Sequence, residues 1–597
     1  METLTAQAPS STIAPFDTGL NGVNQPNNLM FKDFLWWTLG IMALVVLGIR
    51  IVELLWAKLR LVSAMSVPGD RQGFWKVSQW SWMPALKRRL IYAPLWKKRH
   101  YREIRLSKAL NMGTLPSRLH TVILLGYLGS NLAYTFIVNW ATLNKYQLCA
   151  EIRGRSGTLA LVNMVPLIIF AGRNNPLIGI LKISFDTYNL LHRWMGRIVV
   201  IETLIHVIVW SIVQVADGGW ASVQDKVIND RFIGSGTVGT FAMLILLVLS
   251  VSPLRHAFYE TFLTTHIILA FIAFVGTWLH CVATNIAGGL PQLPWIYAIM
   301  SIWFAERLAR MVRLAYCNWS GRGYSQAFVE AMPGETCRVK IQLPRYVDVK
   351  PGQHAYIRFS GVHSWENHPF SIAWVEHTYE ETLPVSEKDM TKVERPISTS
   401  VSFVIGAQTG FTRSLFNAAN NNGTRSISMR AAFEGPYAGH HSLDSYGHVV
   451  LFAGATGITH QISYLKHLIE GFTAGIVATR RITLVWIIRD YESLEWVRPW
   501  MDKILRLPGR RDLLQVKLFV TRPKSAREVF STSSTVQMFP GRPNIPHLLT
   551  KEVQEQMGAM CVTVCGPGGL ADDVRDAVRK VQDQRQVVDL HCEAFTW

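Results

Sequence analysis

Seven membrane-crossing helices followed by a water-facing half, first β-rich and then α/β, is the fold class this sequence predicts. Three observations predict it. Long apolar runs crowd into the part of the chain before about residue 315. From about residue 322, short β-rich segments alternate with turns. From Gly447 onward, an apolar strand run leads through a glycine turn into a helix, and a second glycine cluster follows another such strand.

The apolar runs lie near 34–56, 119–140, 157–181, 187–215, 237–254, 260–283 and 293–309. Each approaches the ~20 residues that a helix needs to cross a bilayer. The third is broken by Arg173-Asn174-Asn175-Pro176. The first 30 or so residues are polar and lack the basic start and small-residue cleavage site of a signal peptide, so the first span is expected to stay in the mature protein. At 597 residues the chain has room for several domains.

The net charge of +19 would ordinarily suggest nucleic acid, but its location argues against that. The segment 57–118 carries 14 Lys and Arg against Asp70 and Glu103. Cationic loops stay on the cytoplasmic side, which puts the amino terminus outside and, after seven spans, the C-terminal half in the cytoplasm. Contact with anionic lipid is a further use for that loop. The seven cysteines show no CxxC spacing. Cys149 and Cys281 both fall on the outer side, either as a disulfide or as single buried thiols.

Four histidines carry the chemistry. His192 and His206 lie in one apolar run, His266 and His280 in another, each pair 14 residues apart. At ~100° per residue, 14 steps fall about 40° short of four turns, so both imidazoles of a pair share one helix face, roughly 21 Å apart. Ionisable side chains inside a span are costly and mark functional sites. Two such helices side by side can hold two metal macrocycles at two depths. The orientation from Lys and Arg counts makes His192 and His266 an inner pair, and His206 and His280 an outer pair. With two imidazole ligands the iron keeps no open position, which favours electron transfer over oxygen binding. Arg193 and Arg197 flank the inner ligand, as partners for propionates or as snorkelling side chains. Asp217, Asp225 and Asp230 lie in the outer loop, where carboxylates suit hard cations and a solvated loop is the plainer reading.

In the C-terminal half, Cys337-Arg-Val-Lys-Ile-Gln-Leu and His354-Ala-Tyr-Ile-Arg-Phe read as strands joined by the Lys350-Pro-Gly-Gln turn. His368-Pro369-Phe370-Ser371 follows, then Gly410-Phe-Thr412-Arg413 at a helix start, where Thr and Arg suit a phosphate anion. Segment 376–397 is acidic and reads as an inserted loop. His448-Val-Val-Leu-Phe-Ala followed by Gly454-Ala-Thr-Gly457-Ile-Thr459 gives a strand, glycine turn and helix start suited to a dinucleotide phosphate. The strand Met560-Cys-Val-Thr-Val ends in Cys565-Gly566-Pro567-Gly568-Gly569. Arg489 and Arg542 lie between these clusters, to hold a ribose 2′-phosphate or to make surface salt bridges.

With these motifs in this order, residues 120–597 resemble the ferric reductase branch of the superfamily shared with NADPH oxidases. The resemblance implies a seven-span haem domain and a ferredoxin-NADP reductase-like module, composed of an antiparallel β-barrel FAD domain and an α/β NADPH domain. The expected boundaries are an extracytoplasmic segment 1–33, a first span with basic loop 34–118, a six-helix haem domain 119–315, an FAD domain 322–440 and an NADPH domain 447–597. It implies His192, His206, His266 and His280 as ligands of two b-type haems. His368, Pro369, Phe370 and Ser371 resemble the flavin motif, and Thr412 and Arg413 the motif beside the FAD pyrophosphate. Gly454, Gly457 and Thr459 resemble the NADPH pyrophosphate loop, and Arg489 and Arg542 the 2′-phosphate site. Cys565, Gly566, Pro567 and Gly568 resemble the loop beside the nicotinamide. Phe595 and Trp597 resemble an aromatic tail stacked near the flavin. Ala455 and Ala438 stand where many members have glycine.

The implied activity passes electrons from cytoplasmic NADPH through FAD and two haems to a ferric or cupric chelate or siderophore outside, with an iron permease or oxidase as functional partner and the plasma or vacuolar membrane as location. A superoxide-forming NADPH oxidase is one alternative, and a non-enzymatic transporter or receptor is another. The outward-starting first span favours the metal reductase. Asn318-Trp-Ser and Asn422-Gly-Thr fit the glycosylation pattern but fall on the cytoplasmic side, so both are expected to be unmodified.

Overall fold

The computed structural model describes residues 13, 16–17, 19–105, 107, 111–382, 393–438, 441–525, 529, 531, 533–582 and 585–593. Seven long helices occupy the positions of the seven apolar runs: α1 Gln25–Ala64, α2 Arg118–Phe136, α3 Lys145–Ala171, α4 Phe185–Asn229, α5 Arg231–Leu249, α6 Tyr259–Val282 and α7 Leu293–Asn318. Five of these, α1, α3, α4, α5 and α6, are long and apolar enough to cross a membrane. This amends the expectation of seven. α2 carries Arg118, His120 and Asn131, and α7 carries Glu306, Arg307, Arg310 and Arg313, which dilute their apolar character. Boundaries also move. The third helix starts at Lys145 and ends at Ala171, before the Arg173–Pro176 break, because Asn144 caps its first turn through Tyr146 N and Gln147 N. Asp230, in the predicted outer loop, is a helix cap whose carboxylate accepts from Phe232 N at 2.8 Å, and Asp225 accepts from Asn229.

Among the described residues, the C-terminal half has two large sheets, preceded by a two-stranded ribbon of Trp319–Ser320 and Gly323–Tyr324. The first contains β1 Gln326–Met332, β2 Thr336–Leu343, β3 His354–Phe359, β4 His368–Ser371, β5 Trp374–Thr382, β6 Val393–Gly406 and β7 Ser426–Tyr437, in the order β4-β3-β7-β1-β2-β6-β5, all antiparallel. Alternation along β1, where Ala327, Val329 and Ala331 are buried and Gln326, Phe328 and Glu330 exposed, places one face on a core with Val339, Ile341, Ile357 and Phe403. The segment 376–397 is not simply an inserted loop: its ends are β5 and β6, paired from Trp374↔Ser402 to Thr382↔Val393. Residues 383–392 lie outside the described residues. Helix α8 Phe411–Asn420 packs Phe411, Leu415 and Ala419 onto the same core.

The second sheet is parallel: β8 His448–Gly454, β9 Arg481–Ile488, β10 Leu514–Val520, β11 Val536–Pro540, β12 Met560–Cys565 and β13 Val588–Glu593, in the order β11-β10-β9-β8-β12-β13. Its central strands β8 and β12 are buried on both faces, hence the largely apolar runs His448–Gly454 and Met560–Cys565. Helices α9 Ile458–Thr473, α10 Arg498–Arg506, α11 Ile545–Gln554 and α12 Gly568–Val581 flank it. The first strand, β8, has β9 on one side and β12 on the other. Strand direction of travel reverses there, and the crevice at the carboxyl ends of β8 and β12 is where such sheets bind ligands.

The basic segment 57–118 has protein contacts of its own. Much of it is folded onto the α/β domain: Gln72 Nε2 donates to Ala64 O, Val67 O and Ala478 O, the Arg60 guanidinium lies 4.0 Å over the Tyr446 ring, and Lys87 pairs with Asp589.

Candidate functional site

The four histidines form two facing pairs. The rings of His192 and His266 are centred 6.2 Å apart, and those of His206 and His280 6.3 Å apart. Nδ1 of His192 donates to Leu167 O at 3.0 Å, that of His206 to Arg153 O at 2.8 Å, and that of His280 to Phe232 O at 2.8 Å. Because a carbonyl only accepts, these bonds fix the proton on Nδ1 and leave Nε2 with a free lone pair, the state a metal requires. His266 Nδ1 is buried without a hydrogen-bond partner, and its ring leans on Phe262 at 5.2 Å.

A metal–imidazole bond of about 2.0 Å on each side, plus ~1 Å from nitrogen to ring centre, would separate ring centres by about 6 Å. Both observed pairs fit one iron between them. Small residues make the room. A Cβ on Gly157 would stand 2.8 Å from His206 Nδ1, and one on Gly236 2.7 Å from His280 Nδ1. Around His206 and His280, α3, α4, α5 and α6 enclose a cavity of about 540 Å³ that also meets Arg153, Asp230 and Asp17. These residues fit two bis-histidine haems. Of the flanking arginines, Arg197 lies over the Trp194 ring at 4.6 Å. Cys149 and Cys281 are free thiols.

The flavin motif is strand β4, an end strand of its sheet, with Ser371 opposite His354 and His368 opposite Ile357. The His368 ring is 4.7 Å from Phe411, the first residue of α8, so residues 43 positions apart meet at one spot. That helix begins at Gly410 with φ 63° and has no side-chain cap, leaving its first amides for an anion. Thr412 Oγ1 accepts from Gln408 N at 3.0 Å, and Arg413 pairs with Glu335 at 2.8 Å. Pro369 and Phe370 are half-buried between them. His368 Nε2 also lies 3.3 Å from Glu366 and 3.6 Å from Glu260. Glu260 lies in the first turn of α6, six residues before His266, so strand β4 approaches the helix that carries His266.

The glycines of the two nucleotide loops are required by each other. A Cβ on Gly457 would meet Cys565 O at 2.2 Å, one on Gly454 would meet Pro567 at 2.7 Å, and one on Gly566 (φ 153°) would meet Gly454 at 2.9 Å. The loops after β8 and β12 are therefore packed together across the crevice. Thr459 Oγ1 donates to Thr456 O at 2.9 Å, and Trp486 Nε1 donates to Ala455 O at 3.1 Å. Ala455 holds φ 49° and Ala438 φ 94°, so both alanines keep backbone that glycine adopts freely. Burial, followed by the charge of Glu593, pushes the Cys565 thiol far up. It stays a neutral thiol, suited to packing against a ring and not to nucleophilic attack. Phe595 and Trp597 lie outside the described residues.

Arg489 and Arg542 both lie just beyond the carboxyl ends of their strands, β9 and β11, and are exposed. Between them lies a third cation that sequence reasoning missed. Arg522 follows β10, and its amide donates to Arg489 O at 2.9 Å. Its signal was a cation two residues past a strand end, as at Arg542. Glu434, also missed, is 4% exposed at the join between the helical and antiparallel domains. It accepts from Arg310 at 2.9 and 3.1 Å, Arg173 at 3.1 Å and the Tyr437 hydroxyl at 3.0 Å.

Residues 156–277 match the family Ferric reductase like transmembrane component, residues 322–441 an FAD-binding domain, and residues 446–579 the Ferric reductase NAD binding domain. The chain is 27% identical over 497 residues to Ferric reductase transmembrane component 3 of Saccharomyces cerevisiae, covering 78% of this chain and 65% of that protein. To Ferric/cupric reductase transmembrane component 2 of the same yeast it is 26% identical, over 79% of this chain and 65% of the relative. With the probable cell surface ferric reductase kap2 of Aspergillus oryzae it shares 28% identity over 58% of this chain and 44% of the relative. The chain thus spans about two-thirds of the length of the two yeast relatives, 65% in each case. In this order, the helical domain with paired histidines, the antiparallel sheet and the parallel sheet each match a domain model of their own, two of the three described as ferric reductase domains.

Proposed function

We propose that this protein is a transmembrane NADPH-dependent ferric-chelate reductase that also accepts cupric chelates and serves iron or copper uptake at the plasma membrane. The observation that carries this reading is the pair of imidazole couples at two depths, with His368 of the flavin motif against the first turn of the helix that bears His266. In this reading, segment 57–118 and both sheets face the cytoplasm, the amino terminus faces outside, and α2 and α7 complete seven crossings. The antiparallel sheet is the FAD barrel, 322–440, and the parallel sheet the NADPH domain, 447–597.

When bound, NADPH supplies a hydride, FAD divides the electron pair, and two b-type haems carry single electrons across the membrane. The chain's own residues do the rest. The uncapped start of α8, with Thr412 and Arg413, receives the flavin pyrophosphate, and β4 supports the ring. The crevice between the Gly454–Gly457 and Cys565–Gly568 loops receives the dinucleotide. Arg489, Arg522 and Arg542 give a 2′-phosphate three cations on neighbouring strand ends, which supports NADPH over NADH. Nδ1–H bonds to backbone carbonyls orient three of the four imidazoles. The cavity around His206 and His280 is where the outer haem would sit, and no general acid is needed.

The test reduces the purified protein anaerobically with NADPH, then follows re-oxidation of the haem absorbance by ferric citrate and by oxygen. Fast re-oxidation by the chelate with little superoxide is expected. Rapid oxygen-driven re-oxidation with superoxide, and a sluggish chelate reaction, would replace this reading with the oxidase one.

A further inference from the structure

The segment between α1 and α2 runs along one side of the nucleotide domain and ends on its most constrained loop. At the base, Gln72 fills space that only glycine leaves: a Cβ on Gly447 or Gly558 would lie 2.3 or 2.4 Å from its Oε1. Val77 bridges Gln586 antiparallel, with Ser78 N donating to Arg585 O and Val587 N donating to Lys76 O, each at 2.8 Å. Further along, Arg575 of α12 donates to Tyr92 O at 2.8 Å and Ile91 O at 3.2 Å.

The last contact is the most specific. Three successive amides, those of His100, Tyr101 and Arg102, donate to the carboxylate of Asp572 at 3.2, 2.8 and 3.0 Å. Asp572 is 4% exposed and lies in the first turns of α12, the helix that begins at Gly568. This turn of the segment presses on Gly568 itself, where a Cβ would meet Tyr101 O at 2.3 Å. The same loop is held from the other side by Gly454 and Gly457. One wall of the Cys565–Gly568 loop is therefore supplied by a part of the chain more than 450 residues away.

We propose that residues 65–105 form an intramolecular strap that positions the Cys565–Gly568 loop for hydride transfer, and that Asp572 is the positioning residue through which it acts. The proposal rests on the reading of that loop as the nicotinamide site. Removing the carboxylate leaves three strap amides without their acceptor, so the turn at Tyr101 retreats and Gly568 loses its wall. Reacting atoms misplaced by about 1 Å cost about a hundredfold in rate.

The experiment uses the full-length, FAD-loaded protein and measures single-turnover flavin reduction by NADPH, normalised to bound flavin, in the parent, Asp572→Ala and Asp572→Asn. Asp572→Ala is expected to lower the saturating rate by about tenfold to a hundredfold. Asp572→Asn, which keeps one acceptor oxygen and the side-chain volume, should recover part of that loss, and it serves as the test if the alanine variant fails to fold. A fall only in flavin content or melting temperature, with the rate per bound flavin unchanged in the asparagine variant, would overturn the proposal. If the parent itself is not reduced by NADPH, the nucleotide reading fails; if the parent is reduced and both variants match it, the strap inference alone fails.

Discussion

Glu434→Gln removes the one charge that two nearly buried guanidiniums share. Arg310 reaches Glu434 from α7 through two bonds, and Arg173 reaches it from the turn after α3, with its guanidinium 3.3 Å over the Tyr356 ring and a further 3.4 Å contact to Asn367. This joins α7 and the turn after α3 to β7 and to the residue beside His368. Burial alone would raise the Glu434 carboxyl, but Arg310 and Arg173 overcome it and hold the group at about 2, against its ordinary 4.5. That difference corresponds to about 3 kcal/mol of stabilisation of the charged, folded state. The independent expectation for breaking a buried pair is about 3–5 kcal/mol. At ~2–4 °C per kcal/mol for a domain of this size, the flavin-release melting point should fall by about 6–12 °C. The sign with pH follows from the depressed value. The contribution is complete above the unfolded value near 4.5, so parent and variant should differ equally at pH 7 and pH 5.5. The gap should narrow as pH falls below that value and close near 2. The assay heats FAD-loaded protein and records flavin fluorescence. A variant that melts within about 2 °C of the parent at pH 7, where at least 6 °C is expected, would refute the reasoning.

The histidine pairs predict haem stoichiometry: His206→Ala and His192→Ala should each lower pyridine-haemochrome content from two haems to one, and the double variant should hold none. Gly157→Val should selectively lose the outer haem, because even its first carbon would contact His206 Nδ1. Arg522→Ala with Arg542→Ala should raise the KM for NADPH by about tenfold or more, the loss of one to two charge-assisted bonds, and leave that for NADH nearly unchanged. Glu552→Gln should destabilise the parallel sheet by about 3 kcal/mol in thermal unfolding, since Glu552 accepts from Lys517, Thr483, Arg481 and His448 in a site where it is 1% exposed.

Much of this architecture is legible in the sequence because the signals are local or periodic. Fourteen-residue spacing puts two histidines on one helix face without any knowledge of the partner helix. The strands His354–Phe359, His448–Gly454 and Met560–Cys565 are dominated by apolar, β-branched and aromatic residues, and the turn at Gly352 has the positive φ, 77°, that Lys350-Pro-Gly-Gln requires. Glycines 454, 457 and 566 announced a tight turn, although the reason for each is a neighbour in the opposite loop. Where local signals mislead, a competing interaction decides. The hydropathy run at 157–181 pointed past Ala171, but the Asn144 cap set the true start. The polar, acidic stretch 376–397 read as loop, yet cross-strand pairing extends β5 and β6 into it.

The illegible part is of one kind: polar groups satisfied across long chain separations. Glu434 meets residues 124 and 261 positions away, and Asp572 meets amides about 470 positions away. Nothing in the local sequence distinguishes either carboxylate from a solvated one. Fourteen cations in segment 57–118 suggested a lipid headgroup surface, because charge counts register sign and quantity but not the partner. The structure gives several of those cations protein partners: Lys87 takes Asp589, Arg60 takes Ser445 and the Tyr446 ring, and Lys98 takes Asp576. Charge counts alone give the first helix and its basic strap no place against the nucleotide domain. Its contacts argue otherwise, because the same strap that begins in a membrane helix ends against Gly568. The α/β domain is thus tied to the helical domain through the strap, and the antiparallel domain through Glu434. Ties at several places, with His368–Glu260 and Asn318–Phe433 among them, restrain rotation of the C-terminal half where one would leave it a hinge.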